Sequence, residues 1–134
     1  MRSKKLLLSA GAAFAATVIC AIIYLLYKLD GIYEVGYPGQ AASIAADDRI
    51  QNIFIELQSS GYFDEYNVDY RGDVYLSCSG SWSYSGGILA IKYNAKSTQW
   101  TVLYKRYGIF GRWELADGLN RPMKKDIIRF RPPN

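Results

Sequence analysis

The chain has 134 residues, half of them hydrophobic, with 16 basic and 12 acidic side chains and a formal net charge of +4. It contains no histidine, which removes the usual general base near neutral pH, histidine-containing triads and most zinc sites. No GxxxxGKS/T phosphate loop, no GxGxxG and no CxxC occurs, so the commonest nucleotide and redox signatures are absent as well.

Leu6 to Tyr27 is uncharged throughout, with Arg2, Lys4 and Lys5 before it and Lys28 after it. At the helical rise this stretch reaches about 33 Å, enough to cross a bilayer core of about 30 Å. Ala13-Phe14-Ala15 fits a signal-peptidase site, but the apolar run continues to Tyr27, past the usual length of a signal core. An uncleaved signal-anchor over 6–28 is the expectation, contacting the lipid bilayer directly. Basic residues are retained on the cytoplasmic side. Arg2, Lys4 and Lys5 therefore set the topology, with residues 1–5 a cytoplasmic basic tail and the C-terminal domain outside, in a bacterium beyond the inner membrane. Tyr24 and Tyr27 fall where aromatic rings mark an outer interface. Small residues Ser9, Ala12, Ala13 and Ala16 lie near one helix face and offer weak homo-association through the span.

The anchor flanks supply the whole net charge, because residues 30–134 have twelve basic and twelve acidic side chains. Nucleic acid is accordingly not an expected partner. Within the domain the balance is uneven: acids dominate 30–73 and bases dominate 74–134, the latter including Lys105, Arg106, Arg112, Lys124, Lys125, Arg129 and Arg131. Cys20 and Cys78 cannot pair within one chain if the first lies in the bilayer, and no metal or cofactor set is evident.

Residues 29–42, with Gly31, Gly36 and Pro38-Gly39, read as a stalk, and 43–134 as one extracytoplasmic domain. Ser43 caps an expected helix in which Ala46, Ile50, Ile53 and Leu57 recur at spacings of four, three and four with Phe54 beside them, ended by Gly61. From Tyr66 the period is two: Tyr66, Val68 and Tyr70 alternate with Asn67, Asp69 and Arg71, and Gly72-Asp73 turns the chain into Val74, Leu76 and Cys78. Further strands are expected at Ile88–Tyr93, Trp100–Tyr107 and Arg112–Leu115. Asn94–Gln99 and Gly108–Gly111 are the connections, and 126–130 is a last strand or short helix. The expected fold is α+β: a transmembrane helix, then one amphipathic helix packed on a four- to five-stranded antiparallel meander.

Ser77 to Gly87, SCSGSWSYSGG, reads as an adaptable loop carrying Trp82 and Tyr84. With the basic residues Arg106 and Arg112 and with Trp113, these form the candidate partner-binding set. Asp64, Glu65 and Asp69 are the carboxylates that a glycoside-cleaving site would need, although alternation places Asp69 on a solvent face. Arg71-Gly72-Asp73 matches an integrin-recognition tripeptide and is explained by hairpin turn chemistry. The expected function is a membrane-anchored, non-enzymatic interaction module of the cell envelope, an accessory subunit or an anchored immunity or exclusion factor with an envelope protein as partner. The competing classes are a tethered wall-polymer hydrolase and a lipid- or wall-binding domain.

Overall fold

A computed structural model describes residues 2–94, 99–107, 112–116 and 121–133. The expected connection through 95–98 and the turn at 108–111 lie outside the described residues. Helix α1 spans Arg2–Tyr27, and its stretch Leu7–Leu25 is long and apolar enough to cross a membrane. It packs into no core, since none of that stretch is buried.

The remainder is a closed antiparallel barrel of eight strands in sequence order. These are β1 (Gly31–Val35), β2 (Ile50–Leu57), β3 (Tyr62–Asp69), β4 (Val74–Ser85), β5 (Ile88–Asn94), β6 (Gln99–Arg106), β7 (Arg112–Leu115) and β8 (Met123–Lys125). β1 closes on β8, with Tyr33 opposite Lys125 and Val35 opposite Met123. Closure pairs every strand on both sides and leaves no edge to aggregate. A five-residue helix, α2 (Ala41–Ala45), sits between β1 and β2 and ends at Ala46, whose left-handed backbone (φ 52°) turns the chain.

This corrects the expected meander with a packed amphipathic helix. Ile50–Leu57 is a strand, and the reason lies in what covers its two faces. Ile53, Ile55 and Leu57 point into the barrel at 0–2% exposure, while Phe54 points out yet is also buried. Apolar residues on both faces of a strand erase the period of two and imitate a helical stripe. The outer face is covered by the C-terminal segment: Phe130 stacks on Phe54 at 4.4 Å between ring centroids and lies 5.6 Å from Tyr66, with Ile32, Val68 and Val74 around them. Residues 126–130 are thus neither strand nor helix but an irregular strap. The expected stalk, 29–42, contains β1 and the first two residues of α2. Replacing Phe130 with alanine uncovers this face and is expected to cost about 2 kcal/mol of stability, measured by denaturant unfolding of the chain in detergent micelles.

The second correction concerns Ser77–Gly87, which is not a loop: Val74–Ser85 is one twelve-residue strand, and only Gly86-Gly87 turns. Its serine and glycine content serves tight packing, with Gly80 directly against β5 and the Phe63 ring. Ser77 is the extra residue where the β3–β4 register shifts, since Glu65 faces Cys78 and Tyr66 faces Leu76. A bulge of this kind re-aims side chains on the longer strand.

The barrel has two unlike ends. Strand direction puts the exit of α1, the β2–β3 turn and the β4–β5 turn at one end, and α2 with the β3–β4 turn at the other. The interior between them is filled by Tyr33, Leu57, Phe63, Leu89, Ile91, Tyr104, Trp113 and Met123, each at most 1% exposed. Eight strands enclose just enough room for side chains or one small ligand.

Candidate functional site

At the α1 end the interior is shut. Lys125, 7% exposed, points inward from β8 and donates to the carbonyl oxygens of Lys28 (2.8 Å) and Asp30, with its ammonium 4.8 Å from the Tyr33 ring centroid. Tyr33 in turn donates to Leu29 O at 2.7 Å. The Arg106 guanidinium lies between two rings, 4.9 Å from the Tyr27 centroid and 5.7 Å from that of Trp113. These contacts join the end of α1 to the barrel floor.

Most of the candidate partner-binding residues gather here. Trp113 is 1% exposed inside the barrel, Tyr84 meets it edge-on at 6.0 Å, and Arg106 reaches over it. Trp82 packs against the same core and donates its indole N–H to Gln58 O at 2.8 Å. Arg112 stands apart on the outer wall, donating to Glu114 (3.3 Å) and Tyr37 Oη (3.4 Å). Trp82, Tyr84, Arg106 and Trp113 thus lie near the α1 end, Tyr84 with 45% of its surface exposed, and Arg112 lies on the outer wall. Around Arg112 a lateral groove of about 440 Å³ is lined by Glu34, Tyr37, Lys124 and Arg129 among others. Arg129 pairs there with Glu34.

The three carboxylates do not meet. Asp64 points out of the barrel and accepts from Ser79 Oγ (2.6 Å) and Gln58 Nε2 (3.0 Å). Glu65 points in. Asp69 is 9% exposed, against the expectation of a solvent face, because it organises the β3–β4 turn. It accepts from the backbone N–H of Arg71 and of Asp73 at 2.9 Å and from Tyr75 Oη at 3.0 Å. Burial opposes its ionisation, but these bonds outweigh burial and hold its carboxyl below the usual value. Arg71-Gly72-Asp73 is the turn thus closed, with Gly72 at φ 86°.

Among the described residues, the opposite end holds a cavity. A cavity of about 360 Å³ lies beneath α2, walled by Ile44, Ala45, Ile53, Val102 and Trp100 and carrying Glu65, Asn67, Cys78, Tyr93 and Arg121. Glu65, 9% exposed, accepts from Cys78 Sγ–H at 3.0 Å and from Tyr93 Oη–H at 3.1 Å, one on each carboxylate oxygen. Tyr93 is fixed edge-on to Phe63 at 5.1 Å. Two further polar atoms on the cavity wall, Asn67 Oδ1 and Arg121 Nε, are buried with no hydrogen-bond partner among the described residues. Buried polar atoms are rarely left so, and each such group calls for an explanation.

The electrostatics of the cavity disfavour a thiol nucleophile. Burial first, then the hydrogen bond to Glu65 and its charge, push the Cys78 thiol from 9.0 up to about 12, with Arg121 pulling the other way. Burial and the Glu65 charge likewise raise the Tyr93 phenol. In a Cys20→Ser background Cys78 is expected to alkylate with iodoacetamide at pH 8 at least about tenfold more slowly than a free thiol. Glu65→Gln removes one of the raising causes and speeds the reaction, as read by mass spectrometry over time.

Sequence reasoning named Glu65 but missed the cavity, because Tyr66 and Val68 looked like the inward residues of β3. The inward set is Phe63, Glu65 and Asn67. The usable signal was Phe63, whose parity matches Glu65. Nothing in the sequence singles out Arg121. Among the described residues no group of three or more cysteine or carboxylate side chains is placed to hold a metal ion.

The fold and its two ends define a class: one long apolar helix followed by a small eight-stranded antiparallel barrel, packed shut beside the helix and, among the described residues, holding a cavity at the far end. No protein-family model, no curated protein and no solved structure matched this chain in the comparisons made.

Proposed function

We propose that the chain is a single-pass, membrane-anchored, non-enzymatic binding module of the cell envelope, with residues 1–5 cytoplasmic, 6–28 in the bilayer and the barrel on the outer side of a bacterial inner membrane. The observation that carries this reading is the asymmetry of the barrel, which is plugged by Lys125, Arg106 and Trp113 beside α1 and hollow beneath α2. With α1 in the bilayer, the hollow end faces away from it. Pockets that combine apolar walls with a few convergent polar groups are the usual form of small-molecule sites, from about 300 Å³ upward. A non-catalytic role is supported by the raised Cys78 thiol and by Asp64 and Glu65 pointing to opposite faces.

The test is topology together with intact mass. A Cys20→Ser, Cys78→Ser, Arg71→Cys chain places one thiol in the exposed turn at the far end. A membrane-impermeant maleimide is expected to label it in intact spheroplasts, and the purified protein should keep the mass of the uncleaved chain. Labelling only after lysis, or loss of the first residues, overturns the reading.

A second reading has its own observation, the lateral groove, whose lining includes Arg112, Lys124 and Arg129 together with Tyr37. Its cationic rim suits an acidic segment of an envelope protein. Crosslinking in intact membranes is expected to capture such a partner with the native chain and to lose it in Arg112→Ala, Lys124→Ala; unchanged capture removes this surface.

A further inference from the structure

The far-end cavity has two poles. One is an acceptor pole, formed by Glu65 and by the unpartnered Asn67 Oδ1. A carboxylate offers about four acceptor positions, and the Cys78 and Tyr93 donors fill only one on each oxygen. The other is a donor pole, Arg121, whose Nε–H is buried without a partner among the described residues and whose charge acts on both Cys78 and Tyr93. The apolar side chains of Ile44, Ala45, Ile53 and Val102 line the same cavity.

A purely apolar occupant would leave both poles unsatisfied, and a simple carboxylate would meet Glu65 at the cost of like-charge repulsion. A lone amine would leave Arg121 Nε unpaired. The three requirements are met together by one compact molecule with an ammonium, a carboxylate and an apolar body. We infer that the cavity binds a free α-amino acid with an apolar side chain, its ammonium held by Glu65 and Asn67, its carboxylate by Arg121, and its side chain against Ile44, Ile53 and Val102. This inference rests on the far-end cavity being the working site of the module.

The experiment is calorimetric titration of the full chain in detergent micelles with L-leucine, N-acetyl-L-leucine, L-leucinamide and 4-methylpentanoate. Leucine is expected to bind. N-acetylation removes the ammonium and amidation removes the carboxylate, and each is expected to weaken binding at least about tenfold, the size of one lost charge-assisted hydrogen bond. Glu65→Gln is expected to weaken leucine by the same factor while leaving the circular dichroism spectrum unchanged, and Arg121→Gln supplies the independent check should Glu65→Gln misfold. If N-acetyl-leucine or 4-methylpentanoate binds as well as leucine, and Val102→Trp abolishes that binding, the two-pole assignment is overturned while the cavity reading stands. If none of the four compounds binds, the amino-acid assignment is overturned.

Discussion

Replacing Gly80 with valine is expected to cost about 3 kcal/mol or more and to give a chain that unfolds at much lower denaturant concentration than the native protein. A Cβ at this position would lie 2.0 Å from Lys92 O and 2.6 Å from Phe63 Cε1. The first of these is backbone in the neighbouring strand, which cannot rotate aside. Gly80 pairs with Tyr93 across β4 and β5 and with Phe63 across β3 and β4. The clash therefore separates three strands at once and displaces the tyrosine that donates to Glu65. Gly86 provides the contrast, since nothing lies within 4 Å of a Cβ built there. Its φ of 59° imposes a backbone cost alone, so Gly86→Ala is expected to lose only about 1 kcal/mol. Equal losses at the two positions would show that β4 and β5 are not packed as described.

The second large effect is a pH dependence set by Lys125. Burial, followed by the neighbouring charge of Lys28, lowers its ammonium from 10.5 to about 8, with Asp30 opposing and Arg106 adding to the decrease. Between about pH 8 and 10.5 the unfolded chain keeps this proton while the folded chain releases it. The unfolded state then binds more protons, so the Lys125 contribution to stability rises with pH across that window. At about 1.4 kcal/mol for each pH unit, the full rise is about 3 kcal/mol. Cys78 works in the opposite direction above pH 9, where its raised thiol stays protonated in the folded chain, and Tyr33, raised from 10.0 to about 12 by burial, does so above pH 10. The quantity to measure is therefore the difference between the native chain and Lys125→Met, which cancels those groups. That difference is expected to shift by about 3 kcal/mol in favour of the native chain between pH 7 and pH 10.5. A constant difference would place Lys125 in water and not in the barrel floor.

The long apolar helix, the β hairpin at Asp69–Asp73 and the strands β5, β6 and β7 were legible because each has a local signature: an uncharged run, turn residues between alternating segments, or one apolar face. The barrel was not, for a reason visible at Phe54, Tyr66 and Phe130. A strand normally reports its inner face by alternation, but here the C-terminal strap buries part of the outer face too. Tyr66 and Val68 then outvoted Glu65 and Asn67 in β3, and the stripe through Ile50, Ile53 and Leu57 took on helical spacing. Strap and strand are separated by more than sixty residues of chain, a relation that periodicity within one window cannot carry. The serine-rich stretch misled differently. Ser and Gly in Ser77–Gly87 resemble loop composition, whereas in β4 they supply a bulge at Ser77 and the clearance at Gly80. The candidate site suffered from both effects, since Glu65 looked like half of a surface carboxylate pair and Cys78 like an isolated thiol until strand pairing set them face to face.

The most direct test of the far-end cavity as the working site is native mass spectrometry of the chain purified gently from its own cells, compared with Val102→Trp, which fills the cavity, and with Arg112→Ala, which alters the lateral groove. The account predicts a small-molecule adduct on the native chain and on Arg112→Ala, and none on Val102→Trp. An adduct that survives in Val102→Trp, or is lost only in Arg112→Ala, would contradict it.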